Sequence, residues 1–167
     1  GQSPEIGQGS RVVMHMTSHL SGSGRGCTAD NFFSSDVLAE KLLQERLTFV
    51  GTVRENKPFL PPAITSKANK SVLSSTFAHR EHLTLVSYIP KRGRNVVLIS
   101  SQHMDQEVHT DSQDKKPEII LHYNSTKGAV DSLDKLLRTT STQRKTRRWL
   151  VALFYNFIDI SAYNGFV

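Results

Sequence analysis

Apolar positions recur along this chain with two different periods, and the changes between them mark out its elements. Val12, Val13, Met16 and Leu20 fall at helical spacing and predict a helix over residues 10–20, after a Gly-, Ser- and Gln-rich loop at 1–9. A flexible turn at 21–26 leads into a short predicted strand at 27–33. Ser34 or Ser35 then caps a helix that carries Val37, Leu38, Leu42 and Leu43 on one face. The β-rich run Thr48-Phe49-Val50-Gly51-Thr52-Val53 follows as a second strand. Strand, helix and strand at this spacing form a βαβ unit, which requires a parallel pair and a right-handed crossover.

From 54 to 82 the pattern is lost. Pro58, Pro61 and Pro62 and a Ser-, Lys- and Asn-rich tract predict no regular element there. Runs at 83–89 and 96–101 then read as a β-hairpin with a basic tip, Pro90-Lys91-Arg92-Gly93-Arg94-Asn95, and 102–116 as loop. Terminal helices are expected from about Asn124 or Ser125. The second, from about Thr146, is apolar on most of its circumference and is expected to be buried, with Asn156, Asp159 and Asn164 in need of partners. The expected organisation is three segments: 1–57, an insertion at 58–117 holding the hairpin 83–101, and the helices of 118–167. Gly1 and Val167 both read as cut ends.

Composition narrows the function only slightly. The formal charge of +6 favours a polyanionic partner. The single cysteine, Cys27, excludes an internal disulfide framework or a Cys-rich zinc module in these residues and fits a reducing compartment. No apolar run approaches the ~20 residues of a membrane span, and no secretory leader pattern is visible. His15 and His19 are four apart on the first helix but have no third ligand, so a zinc site there is rejected. Gly22-Ser23-Gly24-Arg25 lacks the Lys-Ser/Thr ending of a phosphate loop and reads as a connection.

The candidate chemistry rests on three carboxylates. Asp30 falls at the carboxyl end of a predicted strand, where open α/β sheets place their sites; it reads equally as a turn or helix cap. Asp131 and Asp134 lie three apart on one side of a helix whose other side carries Val130, Leu133 and Leu137. Hard oxygen ligands of this kind suit a magnesium site for phosphoryl transfer. The alternative is two surface ion pairs, Asp131 with Lys135 and Asp134 with Arg138. A basic run, Arg144, Lys145, Arg147 and Arg148, would neutralise phosphates or form a solvated loop. Trp149, the only tryptophan, would stack on an unpaired base or join the core.

Four stretches in order carry a resemblance. They are Thr28-Ala29-Asp30-Asn31-Phe32-Phe33-Ser34-Ser35; Gly51-Thr52-Val53-Arg54-Glu55-Asn56-Lys57; Tyr123-Asn124 with Lys127-Gly128-Ala129-Val130-Asp131 and Asp134; and Arg144-Lys145-Thr146-Arg147-Arg148-Trp149 with Asp159 and Asn164. In these the chain resembles the transposase domain of piggyBac elements and the host proteins derived from them. The resemblance implies an α/β fold: a partial RNase H-like core, made of the βαβ unit and the C-terminal helices, interrupted by an insertion with a β-hairpin. It implies cut-and-paste transposition into TTAA targets by a two-metal mechanism with Mg²⁺ or Mn²⁺. Asp30 and Asp131 match the second and third metal-binding aspartates, and Asp134 a further acidic catalytic position. Arg54, Lys57, Lys127, Arg144, Lys145, Arg147, Arg148 and Trp149 are implied as DNA contacts, with a nuclear location and a homodimer among the assemblies the resemblance allows. The family's first catalytic aspartate lies upstream of the matched region, and Ala129 replaces the usual glycine. Residues 1–167 alone are therefore expected to be inactive and poorly stable. The alternative is a domesticated or degenerate relative that binds DNA or chromatin without catalysis.

Overall fold

The computed structural model describes residues 7–68, 70–110 and 113–166; the first six residues of the expected N-terminal loop lie outside them. The chain forms two compact units, Gly1–Thr126 and Lys127–Val167. The expected segments 1–57 and 58–117 both fall in the first, together with the helix that follows them.

The first unit is built on a five-stranded sheet. Its elements are α1 (Gln8–Thr17), β1 (Gly26–Ala29), α2 (Asp36–Gln44), β2 (Thr48–Val53), α3 (Pro62–Thr65), β3 (Ser75–Arg80), β4 (Leu83–Lys91), β5 (Arg94–Ser100) and α4 (Glu118–Thr126). Spatial order is β1-β2-β5-β4-β3. β1 and β2 are parallel, with Ala29 opposite Gly51, as the βαβ reading requires. β5 pairs antiparallel with β2, so the hairpin β4–β5 continues the same sheet. Its turn is tighter than the six-residue tip expected: only Arg92 and Gly93 separate the strands, and Gly93 takes φ +78°. A register irregularity between Tyr88 and Lys91 spans Pro90, which has no N–H to give to the ladder.

Alternation along the strands sorts the core onto both faces of this sheet. Phe49, Val53, Leu85, Val97 and Ile99 meet Leu38, Ala39 and Leu42 of α2, Val13 of α1 and Ile64 of α3. Val50, Val86, Tyr88 and Leu98 point the other way, onto Ile119, Ile120 and Tyr123 of α4. α2 starts where a capping residue permits: the Ser35 hydroxyl accepts from the Leu38 N–H at 3.1 Å.

Several expectations need correction here. β1 stops at Ala29 rather than 33, because the Asp30 carbonyl accepts from the N–H groups of Phe33 and Ser34 and turns the chain. α1 starts at Gln8, and 18–20 tighten into a 3-10 turn. β3 lies within the stretch read as irregular; it is a half-buried edge strand with one large apolar residue, Phe77. α4 begins six residues early, at Glu118, directly after Pro117.

The second unit holds α5 (Gly128–Thr139) and α6 (Trp149–Phe166). Of the expected stripe on α5 only Leu137 is buried, while Val130 and Leu133 are exposed. α6 is not a buried helix: Trp149, Leu150, Phe154 and Phe157 are all exposed, and Asp159 is its one buried residue among those described. No helix among the described residues is long and apolar enough to cross a membrane.

Candidate functional site

Asp30 opens the turn after β1, and the βαβ pairing decides what surrounds it. Since Ala29 lies opposite Gly51, the next residue on β2 brings the Thr52 hydroxyl to Asp30 Oδ1, donating at 3.0 Å. The same oxygen accepts from the Asn31 N–H at 2.6 Å and from Asn31 Nδ2 at 3.1 Å. Oδ2 has no hydrogen bond among the described residues, and the carboxylate is exposed. One oxygen is thus spent on orientation and the other is left without a hydrogen bond among the described residues. Asn31 in turn accepts from Arg54 Nε at 2.8 Å, which holds the guanidinium beside the carboxylate turn. Thr28 Oγ1 donates to Thr126 Oγ1 at 2.9 Å, fixing the end of α4 to the end of β1.

The approach of β1 to β2 depends on Gly51. A Cβ there would lie 2.3 Å from Ser34 Oγ and 3.0 Å from the Ala29 carbonyl oxygen. Ser34, itself buried, donates from Oγ to the Asp30 carbonyl at 3.0 Å. Lys57 is half-buried in the turn after β2, with Arg54 exposed before it. Together Arg54, Asn56, Lys57, Asn31 and Phe32 line a cleft of about 310 Å³.

In the second unit Asp131 and Asp134 are both exposed near the start of α5. Neither closes an ion pair with Lys135 or Arg138 among the described residues. Arg144, Lys145, Arg147 and Arg148 are exposed in the segment before α6, and Trp149, 72% exposed, opens that helix. Lys127 has helical dihedrals at the residue before α5. Asp159 organises this unit: its carboxylate accepts from Ser141 Oγ at 2.6 Å and from the Thr142 N–H and Oγ1, each at 2.8 Å. The Ser141 bond and then the two from Thr142 hold its carboxyl below the usual carboxylate range.

Sequence reasoning missed Thr52 and Asn31 as the groups that orient Asp30, and Ser141 and Thr142 as the partners of Asp159. Thr52 was findable, since a parallel register that sets Gly51 against Ala29 brings the next residue of β2 to Asp30. Asp30 belongs to the first unit, and Asp131 and Asp134 to the second. Among the described residues no group of three or more His, Cys, Asp or Glu side chains forms a metal-holding cluster. The donor chemistry nevertheless fits a hard divalent cation: Asp30 is oriented, exposed and has an oxygen to spare.

The chain thus carries a mixed α/β sheet with an exposed aspartate at the carboxyl end of a parallel strand, and further on a basic segment before an aromatic helix. Residues 1–166 match the model of the family described as Transposase IS4. The structure is similar to that of a piggyBac transposase, solved by cryo-EM as a synaptic complex with hairpin DNA. The TM-score is 0.87 and the identity 40%, over 99% of this chain and 34% of that one. The chain belongs to the piggyBac transposase family and spans about a third of the length of that transposase. Its fold is the α/β, partial RNase H-like core expected.

Proposed function

We propose that these residues form part of a DNA transposase domain that, in the complete protein, cleaves DNA and transfers its strands into TTAA targets in a metal-dependent reaction. The observation that carries this reading is Asp30, an exposed residue oriented through Oδ1 by Thr52 and Asn31, with Oδ2 in no hydrogen bond among the described residues. Asp30 and Asp131 would hold Mg²⁺ or Mn²⁺, with Asp134 a further acidic group. When bound, the metals would activate the attacking oxygen and stabilise the leaving one. The chain's own groups bind and orient. Arg54 is held beside the Asp30 turn by Asn31, and Lys57 follows it, so both can meet phosphates close to that carboxylate. Lys127, Arg144, Lys145, Arg147 and Arg148 supply further phosphate contacts, and the exposed Trp149 ring can stack on an unpaired base. In this reading 1–57 and 118–167 belong to the catalytic core, 58–117 to an insertion, the protein works in the nucleus on transposon ends and target DNA, and two copies act together.

The test is nicking of element-end DNA by the full-length protein in Mn²⁺, with Asp30→Ala and Asp131→Ala alongside. Each variant is expected to lose at least about a hundredfold in rate while keeping its affinity for DNA. Undiminished nicking by both variants would sink the proposal. DNA binding without any nicking by the wild type would identify a non-catalytic DNA- or chromatin-binding derivative of such a transposase.

A further inference from the structure

A large cleft of the first unit does not hold Asp30. It measures about 1100 Å³, beyond the roughly 300–1000 Å³ of pockets that take drug-sized ligands, and lies between α1, the turn after β1 and the start of α2. Arg11, His15, Lys41 and Lys57 line it, and among the described residues no carboxylate does. Two large apolar side chains in its wall are kept out of the core: Phe32 is 57% exposed and Val37 51%.

Phe32 is held there by its surroundings. Its ring meets Phe33 edge-on, with centroids 5.0 Å apart, and Phe33 packs on the core. Behind the pair α1 presses close: a Cβ on Gly9 would lie 2.9 Å from the Phe32 carbonyl oxygen and 3.2 Å from Phe33 Cα. The aromatic turn is therefore backed by helix backbone, with little freedom to fold inward. Phe32 and Lys57 also line the smaller cleft that contains Arg54. One ring and one ammonium group are common to both.

We propose that this cleft takes an unpaired DNA segment, with a base against the Phe32 ring and the flanking phosphates on Lys41 and Lys57. The inference rests on the reading of DNA as the partner and adds which form of DNA this surface selects. Cations interleaved with an outward aromatic ring suit a single strand, whose bases expose their faces. A duplex hides those faces in its stack and can use the cations alone. An acidic peptide would likewise leave Phe32 without a role.

The test uses the full-length protein in EDTA, so that binding is read apart from any metal-dependent step. Anisotropy would follow a labelled oligothymidine of about a dozen nucleotides, a length within reach of one such groove, and a duplex of equal length. Phe32→Ala is expected to weaken the single strand by about tenfold and the duplex by less than about twofold, and Phe32→Trp to restore the single strand. Lys41→Gln should lower the salt slope for the single strand by about 0.7. Equal losses on both DNA forms, no loss in Phe32→Ala, or displacement of the oligothymidine by polyglutamate as effectively as by unlabelled oligothymidine would each overturn the proposal while leaving the transposase reading intact. A protein that bound no DNA at all would remove both.

Discussion

Gly51 carries more of this site than its lack of a side chain suggests. It is the contact point of three things: the parallel pair β1–β2, the buried Ser34 hydroxyl that braces the Asp30 turn, and the Phe49 ring, 2.8 Å from where a Cβ would stand. Gly51→Ala is expected to destabilise the protein by about 1–3 kcal/mol, the usual cost of overpacking, measured by urea denaturation. Two of the crowded atoms differ in how they yield. Ser34 Oγ can rotate, at the cost of its bond to the Asp30 carbonyl, whereas the Ala29 carbonyl moves only with the strand. Ser34→Ala in the Gly51→Ala background should therefore recover part of the loss, and a purely additive double mutant would show that the strand alone bears the strain.

At the scale of elements, two ionisable groups tie segments together, and each gives the stability a pH dependence. His103 follows β5, its ring Nδ1 bonded to Ser100 Oγ at 2.9 Å and its ring centroid 5.0 Å from that of His122 on α4. Burial, and then the neighbouring His122, lower its pKa, against the opposing pull of Glu118 and Asp105. The unfolded chain then takes up a proton more readily than the folded one. Stability from His103 is present above about pH 6.5 and is lost as pH falls below it. Asp159, also held low, keeps its contribution above the ordinary carboxylate range and loses it on further acidification. Thermal melts across pH should show two steps of loss, the upper removed in His103→Gln and the lower in Asp159→Asn; a single step unaffected by either substitution would contradict this. The partners of Asp159 also show where the sequence stops being readable. A circumference that is mostly apolar suggested that α6 is buried, but among the described residues its own unit holds one other helix, α5, to cover it. β3 was unreadable for the opposite reason: Ser75-Thr76-Phe77-Ala78-His79-Arg80 has little apolar alternation, because an edge strand buries little and is recruited by its pairing with β4. By contrast α2, β2 and the hairpin were legible, since capping, period and turn chemistry agree there.

Over the whole molecule the sheet separates two cores, one under α1, α2 and α3 and one under α4, while the basic residues stay on the outside. The formal charge of +6 therefore remains available to a polyanion. Under the transposase reading, duplex affinity should fall steeply with salt. Replacing Arg144, Lys145, Arg147 and Arg148 together by Gln should reduce the slope of log K against log salt by about 0.9 for each residue that meets a phosphate. An unchanged slope would mean that this segment is only a solvated connection between α5 and α6. The place of Asp30 was legible only in part, since the predicted strand ran past it to residue 33 whereas β1 ends at Ala29. Asp131 and Asp134, on α5, belong to the second unit.

The bond from Arg54 to Asn31 also fixes how that arginine can greet an anion. A guanidinium has a side-on edge, made by Nε and one terminal nitrogen, and an end-on edge made by the two terminal nitrogens. With Nε committed to Asn31, the side-on edge is already taken. What remains is an end-on fork, aimed by the same asparagine that donates to Asp30. Grip and carboxylate thus share one linchpin, and lysine at position 54, a point charge without a planar fork, would offer the guest no paired, parallel hydrogen bonds.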